Sequence, residues 1–198
     1  MKSLVVATRN RGKLKEIWAF LDGLVDTVTC VADFEGFPEI VEDGATFEEN
    51  ALKKAREAMR FTGLPALADD SGLVVDALDG RPGVYSARFA GDGADDAANN
   101  RKLLAELDVV PHGLRQCAFV CSMAFVMPDG GEQIFTGRVG GRILDHGQGD
   151  GGFGYDPLFL VDGFDRSMAE LSIEEKNRIS HRGQALRQFR EFLGKTEK

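Results

Sequence analysis

Three groups of side chains in this 198-residue chain have the types and spacing for chemistry on a phosphorylated ligand. The first follows the apolar run Ser3-Leu4-Val5-Val6-Ala7 and reads Thr8-Arg9-Asn10-Arg11-Gly12-Lys13. A strand running into a polar, lysine-bearing helix start suits an anion, because the first helical turn presents N–H groups and the positive dipole end. The G-x-x-x-x-G-K spacing of a P-loop is absent. Taken alone, Asn10 and Lys13 also fit an ordinary N-cap and a solvated lysine. Asn50 and Lys54 lie four apart on a second expected helix, hence on one face, where they would reach a further phosphate or form an exposed pair.

The second group is acidic. Glu39, Glu42 and Asp43 precede that helix, and Ala68-Asp69-Asp70-Ser71-Gly72 follows it. Magnesium takes one or two carboxylates and completes its shell with water and phosphate oxygens. Adjacent aspartates in extended chain point to opposite faces, so only one of Asp69 and Asp70 need meet a ligand. The competing reading is turn chemistry, since Asp-Ser-Gly makes a good turn. The third group is Gly151-Gly152-Phe153-Gly154-Tyr155-Asp156-Pro157, then Lys176, then Ser180-His181-Arg182-Gly183. Glycines let a ligand approach closely, and the Phe153 ring offers a stacking face. Asp156 can accept from a ring N–H, while His181 and Arg182 can donate to a carbonyl oxygen.

The elements that must carry these groups follow from hydrophobic period. Leu4 to Ala7 reads as a buried strand and Arg11 to Asp22 as a helix, with Leu14, Ile17, Trp18 and Leu21 inward. Val25 to Val31 reads as a strand. Thr46-Phe47-Glu48-Glu49 is a capping box that opens a helix to Phe61, with Phe47, Ala51, Ala55 and Ala58 on one face. Ala66 to Ala68 and Leu73 to Val75 read as two strands flanking the aspartate turn. A short helix is expected over Pro82 to Phe89, and a longer one over Ala94 to Leu107 with Ala97, Leu104 and Leu107 inward.

Arg115 to Val126 is apolar at odd and even positions alike, as in a strand buried on both faces. Pro128-Asp129-Gly130-Gly131 turns it into a partner, Gln133 to Ile143. Ser172 to Glu175 is a second capping box, and Ala185, Leu186, Phe189, Phe192 and Leu193 are in register on a last helix. Gly194 to Lys198 reads as a fraying polar tail. Interleaved strands and helices with one late hairpin indicate an α/β fold with a mixed sheet.

Bulk properties narrow the partners. Net charge is -8, which opposes binding to a polyanion such as DNA or RNA. No apolar run approaches the ~20 residues that span a bilayer, and Met1-Lys2 leads straight into a strand, so neither a membrane nor a secretory route is expected. Cys30, Cys117 and Cys121 are odd in number and suit a reduced cytoplasm. Cys117 and Cys121 sit four steps apart in a strand, about 13 Å, too far to share one zinc ion.

Together, Thr8-x-Asn10-x-x-Lys13-x-x-Glu16, Phe47-x-Glu49-Asn50-Ala51-x-x-Lys54-Ala55, Ala68 to Gly72, Phe153 to Pro157 and Ser180 to Gly183 resemble the inosine triphosphate pyrophosphatase family, in order and over essentially the whole chain. The resemblance implies one elongated α/β domain over 1–198, with a long central mixed β-sheet flanked by helices, two lobes and a central cleft, assembled as a homodimer. It implies magnesium-dependent hydrolysis of dITP, ITP or XTP to the monophosphate and pyrophosphate. By position, Thr8, Arg9, Asn10, Arg11, Gly12, Lys13 and Lys54 resemble the phosphate contacts. Asp70 resembles the magnesium-binding carboxylate that activates water. Ser71, Phe153, Gly154, Tyr155, Asp156, Lys176, His181 and Arg182 resemble the nucleoside contacts. Many bacterial relatives carry a glutamate where this chain has Val41, so the second metal carboxylate is Glu39 or Glu42, with Glu39 preferred. A Maf-like nucleotide pyrophosphatase and a non-catalytic nucleotide-binding module are the rival readings. His181-Arg182 argues against the first, and the Asp69-Asp70 pair against the second.

Overall fold

In the computed structural model, which describes residues 1–196, six strands form one mixed sheet in the order β2-β1-β3-β4-β5-β6. The strands are β1 (Ser3–Val6), β2 (Thr27–Cys30), β3 (Ala66–Val75), β4 (Gln116–Val126), β5 (Glu132–Ile143) and β6 (Phe159–Val161). The helices are α1 (Arg11–Leu21), α2 (Phe47–Thr62), α3 (Asp96–Glu106), α4 (Ile173–Ile179) and α5 (His181–Thr196). β1 pairs in parallel with β2 and β3, as helical crossovers require, and β5 pairs antiparallel with β6. The chain forms two compact units. One comprises 1–70, 121–137 and the chain from Arg182 onward; the other comprises 71–120 and 138–181.

The first unit is built by alternation. Leu4, Val6, Leu67, Cys121, Met123 and Phe125 join one apolar cluster with Ile17 and Leu21 of α1 and Ala185, Leu186 and Phe189 of α5. Val5, Ala7, Ala66, Ala68, Ala124 and Val126 join another with Ala51, Ala55 and Ala58 of α2. Strands of period two with helices on both faces must be apolar at every position, which explains the continuous runs. Small alanines on the α2 side let that helix pack closely. In the second unit, Leu73, Val75, Leu103, Leu107, Phe119, Ile143, Tyr155, Leu158 and Phe159 share one core, with Phe119 stacked on Phe159 at 4.4 Å.

Both expected capping boxes form, Thr46 with Glu49 and Ser172 with Glu175. Three expectations are corrected. Residues 66–75 are one ten-residue strand and not two strands around a turn. The turn propensity of Asp69-Asp70-Ser71-Gly72 yields because both aspartates are buried against cations. Trp18 is 45% exposed, and Glu16 takes the inward place beside Ile17. Ala97 is exposed, and α3 buries Asn99 and Leu103 instead. The tail expected to fray over Gly194 to Lys198 is instead helical through Gly194 to Thr196 as part of α5, and Glu197 and Lys198 lie outside the described residues.

Candidate functional site

The alternation of β3 continues through its aspartates and decides their roles. Asp69 has the parity of Leu67 and so faces α1 and α5; Asp70 has the parity of Ala68 and faces α2. Asp69 is 1% exposed. Its Oδ2 accepts from Arg182 Nε at 3.1 Å and Nη2 at 2.9 Å, and lies 3.2 Å from Lys13 Nζ. Arg182 Nη1 donates to Glu16 Oε2 at 2.6 Å. Burial pushes the Asp69 carboxyl up, but Lys13, Arg182 and Lys54 outweigh it and hold the group well below the usual aspartate range. Burial likewise works against the Arg182 cation, and Asp69 and Glu16 more than restore it.

Asp70 is set differently. Asn50 Nδ2 donates to its Oδ2 at 3.0 Å, and Lys54 Nζ lies 3.4 Å from its Oδ1. Lys54 also reaches Glu42 Oε2 at 3.1 Å. Burial is the largest influence on Asp70 and pushes its pKa above the ordinary value; the Glu42 charge adds to that, and Lys54 and Lys13 offset only part. Lys54 shows the complementary effect. Burial disfavours its charge, yet Asp70 and Glu42 together raise its pKa, since one ammonium faces two carboxylates. At the strand exit, Thr8 Oγ1 accepts from Asn10 N at 3.2 Å and Asn10 Oδ1 caps α1 by accepting from Lys13 N at 3.0 Å. The helix start and the two aspartates thus belong to one unit.

The second unit holds the aromatic loop. Gly152 has φ +74°, and a Cβ there would collide with the Asp156 carboxylate, so only glycine fits. Asp156 Oδ2 accepts from Phe153 N at 2.9 Å and from Lys176 Nζ at 2.7 Å. Lys176 Nζ lies 5.2 Å from the Phe153 ring centre, in cation–π range. His181 stacks on Phe119 at 5.0 Å, and Tyr155 donates its hydroxyl to Ser86 O at 2.8 Å. Burial raises the Tyr155 pKa, so that group is a neutral structural donor.

The first unit thus carries a basic helix start and a carboxylate flanked by lysine and glutamate, and the second a glycine-cushioned aromatic, side-chain types suited to an anion, a cation and a ring system. Comparison with known proteins gives the same direction. The Ham1 family profile matches residues 4–192. The chain belongs to the Ham1 family. It is 60% identical over 194 residues to a protein of Geobacter sulfurreducens named dITP/XTP pyrophosphatase, covering 98% of each chain. It is 52% identical over 192 residues to one of Desulforamulus reducens with the same name, covering 97% of this chain and 96% of the relative. Among solved structures it resembles the Ham1 protein of Staphylococcus aureus, with a TM-score of 0.87, 40% identity and full coverage of both chains. It also resembles that of Coxiella burnetii, with a TM-score of 0.88, 42% identity and coverage of 98% of this chain and 100% of the other. The six-stranded mixed sheet with its helices is thus a Ham1-type α/β fold.

The expected site residues lie in differing surroundings. Glu39 is exposed, whereas Glu42 reaches Lys54 and its charge acts on Asp70. Asp43, the third acidic neighbour, pairs with Lys53 at the surface at 2.6 Å. Arg182, expected from the sequence to aim its fork at a ligand carbonyl, donates to Asp69 and Glu16 and is 1% exposed. Asn50 and Lys54 are 0% and 7% exposed, which removes the surface-pair reading. Arg9 is exposed and donates from Nη2 to Phe37 O at 3.0 Å; Arg11 is exposed, and Gly12 and Ser71 are half-buried. The role of Glu16 is new. Its signal was a charge three residues after Lys13, next to Ile17 on the inward face of α1.

All three cysteines are free and buried, and burial pushes Cys121 up to about 12 and raises Cys117 as well. Such thiols pack as core residues and are poor metal ligands. Among the described residues no group of three or more His, Cys, Asp or Glu forms a metal cage, and no helix is long and apolar enough to cross a membrane.

Proposed function

We propose that this chain hydrolyses non-standard purine nucleoside triphosphates, dITP, ITP and XTP, to the monophosphate and pyrophosphate. The observation that carries this reading is the Asp70 cluster, a buried carboxylate of raised proton affinity between Asn50, Lys54 and Glu42 on a Ham1 fold. Asp70 and Glu42 supply hard oxygens from two elements that converge on Lys54. Two carboxylates, Asp70 and Glu42, meet the single ammonium of Lys54, so the group keeps a net negative charge and a divalent cation fits. Asp70 and Glu42 would hold magnesium, whose charge when bound neutralises the triphosphate.

The chain's own residues then account for the chemistry. Asp70 orients a water and takes its proton. The water oxygen bonds to the α-phosphorus, and the bond from that phosphorus to its bridging oxygen breaks. The electron pair leaves with pyrophosphate. Lys13, Lys54 and the start of α1 stabilise the charge gained by the leaving group. Arg182 and Glu16 hold Asp69, and Asp69 holds Lys13 for that task. Phe153 and Lys176 form the purine platform, with His181 as the donor toward a 6-carbonyl, which an adenine 6-amino group cannot accept. The resemblance extends the proposal to a cytoplasmic homodimer. Release of pyrophosphate from dITP with magnesium, and much less from dATP, is the test. Equal rates for the two, or phosphate as the first product, would overturn the reading.

A further inference from the structure

Two side chains on α3 grip the aromatic loop of the second unit at both ends of one residue. Gly154 N donates to Asp96 Oδ2 at 2.7 Å, and Asn100 Nδ2 donates to Gly154 O at 3.0 Å. Asp96 and Asn100 are four apart on α3 and therefore share a face. Gly154 has φ +62°, which glycine adopts freely, so contacts outside the residue are what fix it in one conformation. The orientation of Asn100 is informative. Its Oδ1 is buried and accepts no hydrogen bond from the described residues, while its amide donates to the Gly154 carbonyl. A buried acceptor left unmade opposes folding, so core stability does not account for an amide at this position.

We infer that Asp96 and Asn100 are positioning residues for nucleobase binding. By fixing the Gly154 peptide, they set the attitude of Phe153, whose own N–H is held by Asp156 and whose ring lies beside Lys176. Asp96 and Asn100 do not touch the base; they act through Phe153. The inference rests on the reading of this loop as the purine platform.

The test uses the full-length enzyme and four variants, D96A, D96N, N100D and F153A, with melting temperatures recorded for each. Loss of the clamp in D96A or N100D should raise KM for dITP about 5- to 20-fold, with kcat within about 2-fold. D96N keeps an acceptor oxygen for Gly154 N and should stay within about 3-fold of the wild-type KM. Inhibition by inosine monophosphate should weaken in parallel with KM, while inhibition by pyrophosphate should not change. N100D is isosteric and sets a carboxylate oxygen against the Gly154 carbonyl, so it carries the test if D96A fails to fold. If F153A raises KM and the folded clamp variants do not, the inference fails and the platform reading stands. If F153A leaves KM and monophosphate inhibition unchanged, the platform reading fails and the inference falls with it.

Discussion

Replacing Arg182 with methionine would separate a structural cation from a base reader. The guanidinium makes three charge-assisted hydrogen bonds, two to Asp69 and one to Glu16, and all three residues are at most 4% exposed. Methionine fills much of the volume but leaves two carboxylates buried. Lys13 still faces Asp69 at 3.2 Å. Breaking a buried ion pair from one side costs ~3–5 kcal/mol, because the remaining charge is stranded. For a chain of this size that corresponds to a fall in Tm of about 6–20 °C. Adding Glu16→Gln removes one stranded charge, so the double variant should recover part of the loss, about 1–2 kcal/mol. The assay is urea unfolding of the two single variants and the double variant. It is paired with kcat/KM for dITP and dATP at a temperature where every protein is folded. The dITP to dATP ratio should move by less than about threefold, since an Arg182 that faces carboxylates reads no base. Near-wild-type stability with a collapsed dITP preference would refute this reasoning and place the fork on the purine.

Asp70→Asn should abolish pyrophosphate release with the fold retained, and Glu42→Gln should slow turnover at least about tenfold while Glu39→Gln stays near wild type; the reverse order of the two glutamates would restore Glu39 to the site. Lys13→Ala and Lys54→Ala should each weaken competitive inhibition by pyrophosphate by ~1.5–3 kcal/mol and leave inosine inhibition nearly unchanged; equal losses for both inhibitors would contradict their assignment to phosphate. The adjacent aspartates should bend the stability–pH curve in opposite senses. Asp69 is held below its ordinary pKa, so the stability it contributes is present above that value and lost as pH falls through and below it. Asp70 is pushed up, so the folded state loses stability as pH rises from the ordinary aspartate value through the raised one. Urea midpoints in chelator between about pH 3 and 8 should therefore show Asp69→Asn losing ground to wild type as pH rises and Asp70→Asn gaining it. Shifts of the same sign for both variants would contradict the assignment.

What sequence reveals about this site depends on the range of the interaction. Helix starts were legible because their signals are local: Thr46 with Glu49, Ser172 with Glu175, and Asn10 as the cap of α1 all form as expected. The continuous apolar character of residues 116–126 likewise announced a strand packed on both faces. The misreadings arise where a distant partner overrides a local preference. Asp69-Asp70-Ser71-Gly72 has the composition of a turn, yet Lys13 and Arg182 on one face and Asn50 and Lys54 on the other hold it extended. Spacing alone does not reveal that Glu42, and not Glu39 three places earlier in the same irregular stretch, is the one seen to contact Lys54; which of them serves a metal is left to the two glutamine variants.

Once β3 is known to be unbroken, one rule orders the first unit's chemistry. Successive side chains of a strand point to opposite faces, so neighbours of identical type enter unlike environments. Asp69 meets two cations and stays ionised as a structural anion. Asp70 meets one ammonium, an amide donor and a nearby glutamate, and gains proton affinity. The proposed division of labour, one carboxylate holding Lys13 and the other acting on water, thus follows from a single residue of register. Moving the pair by one place along β3 would exchange their surroundings and leave the proposed base beside Lys13 and Arg182, which hold a carboxylate ionised and lower its proton affinity.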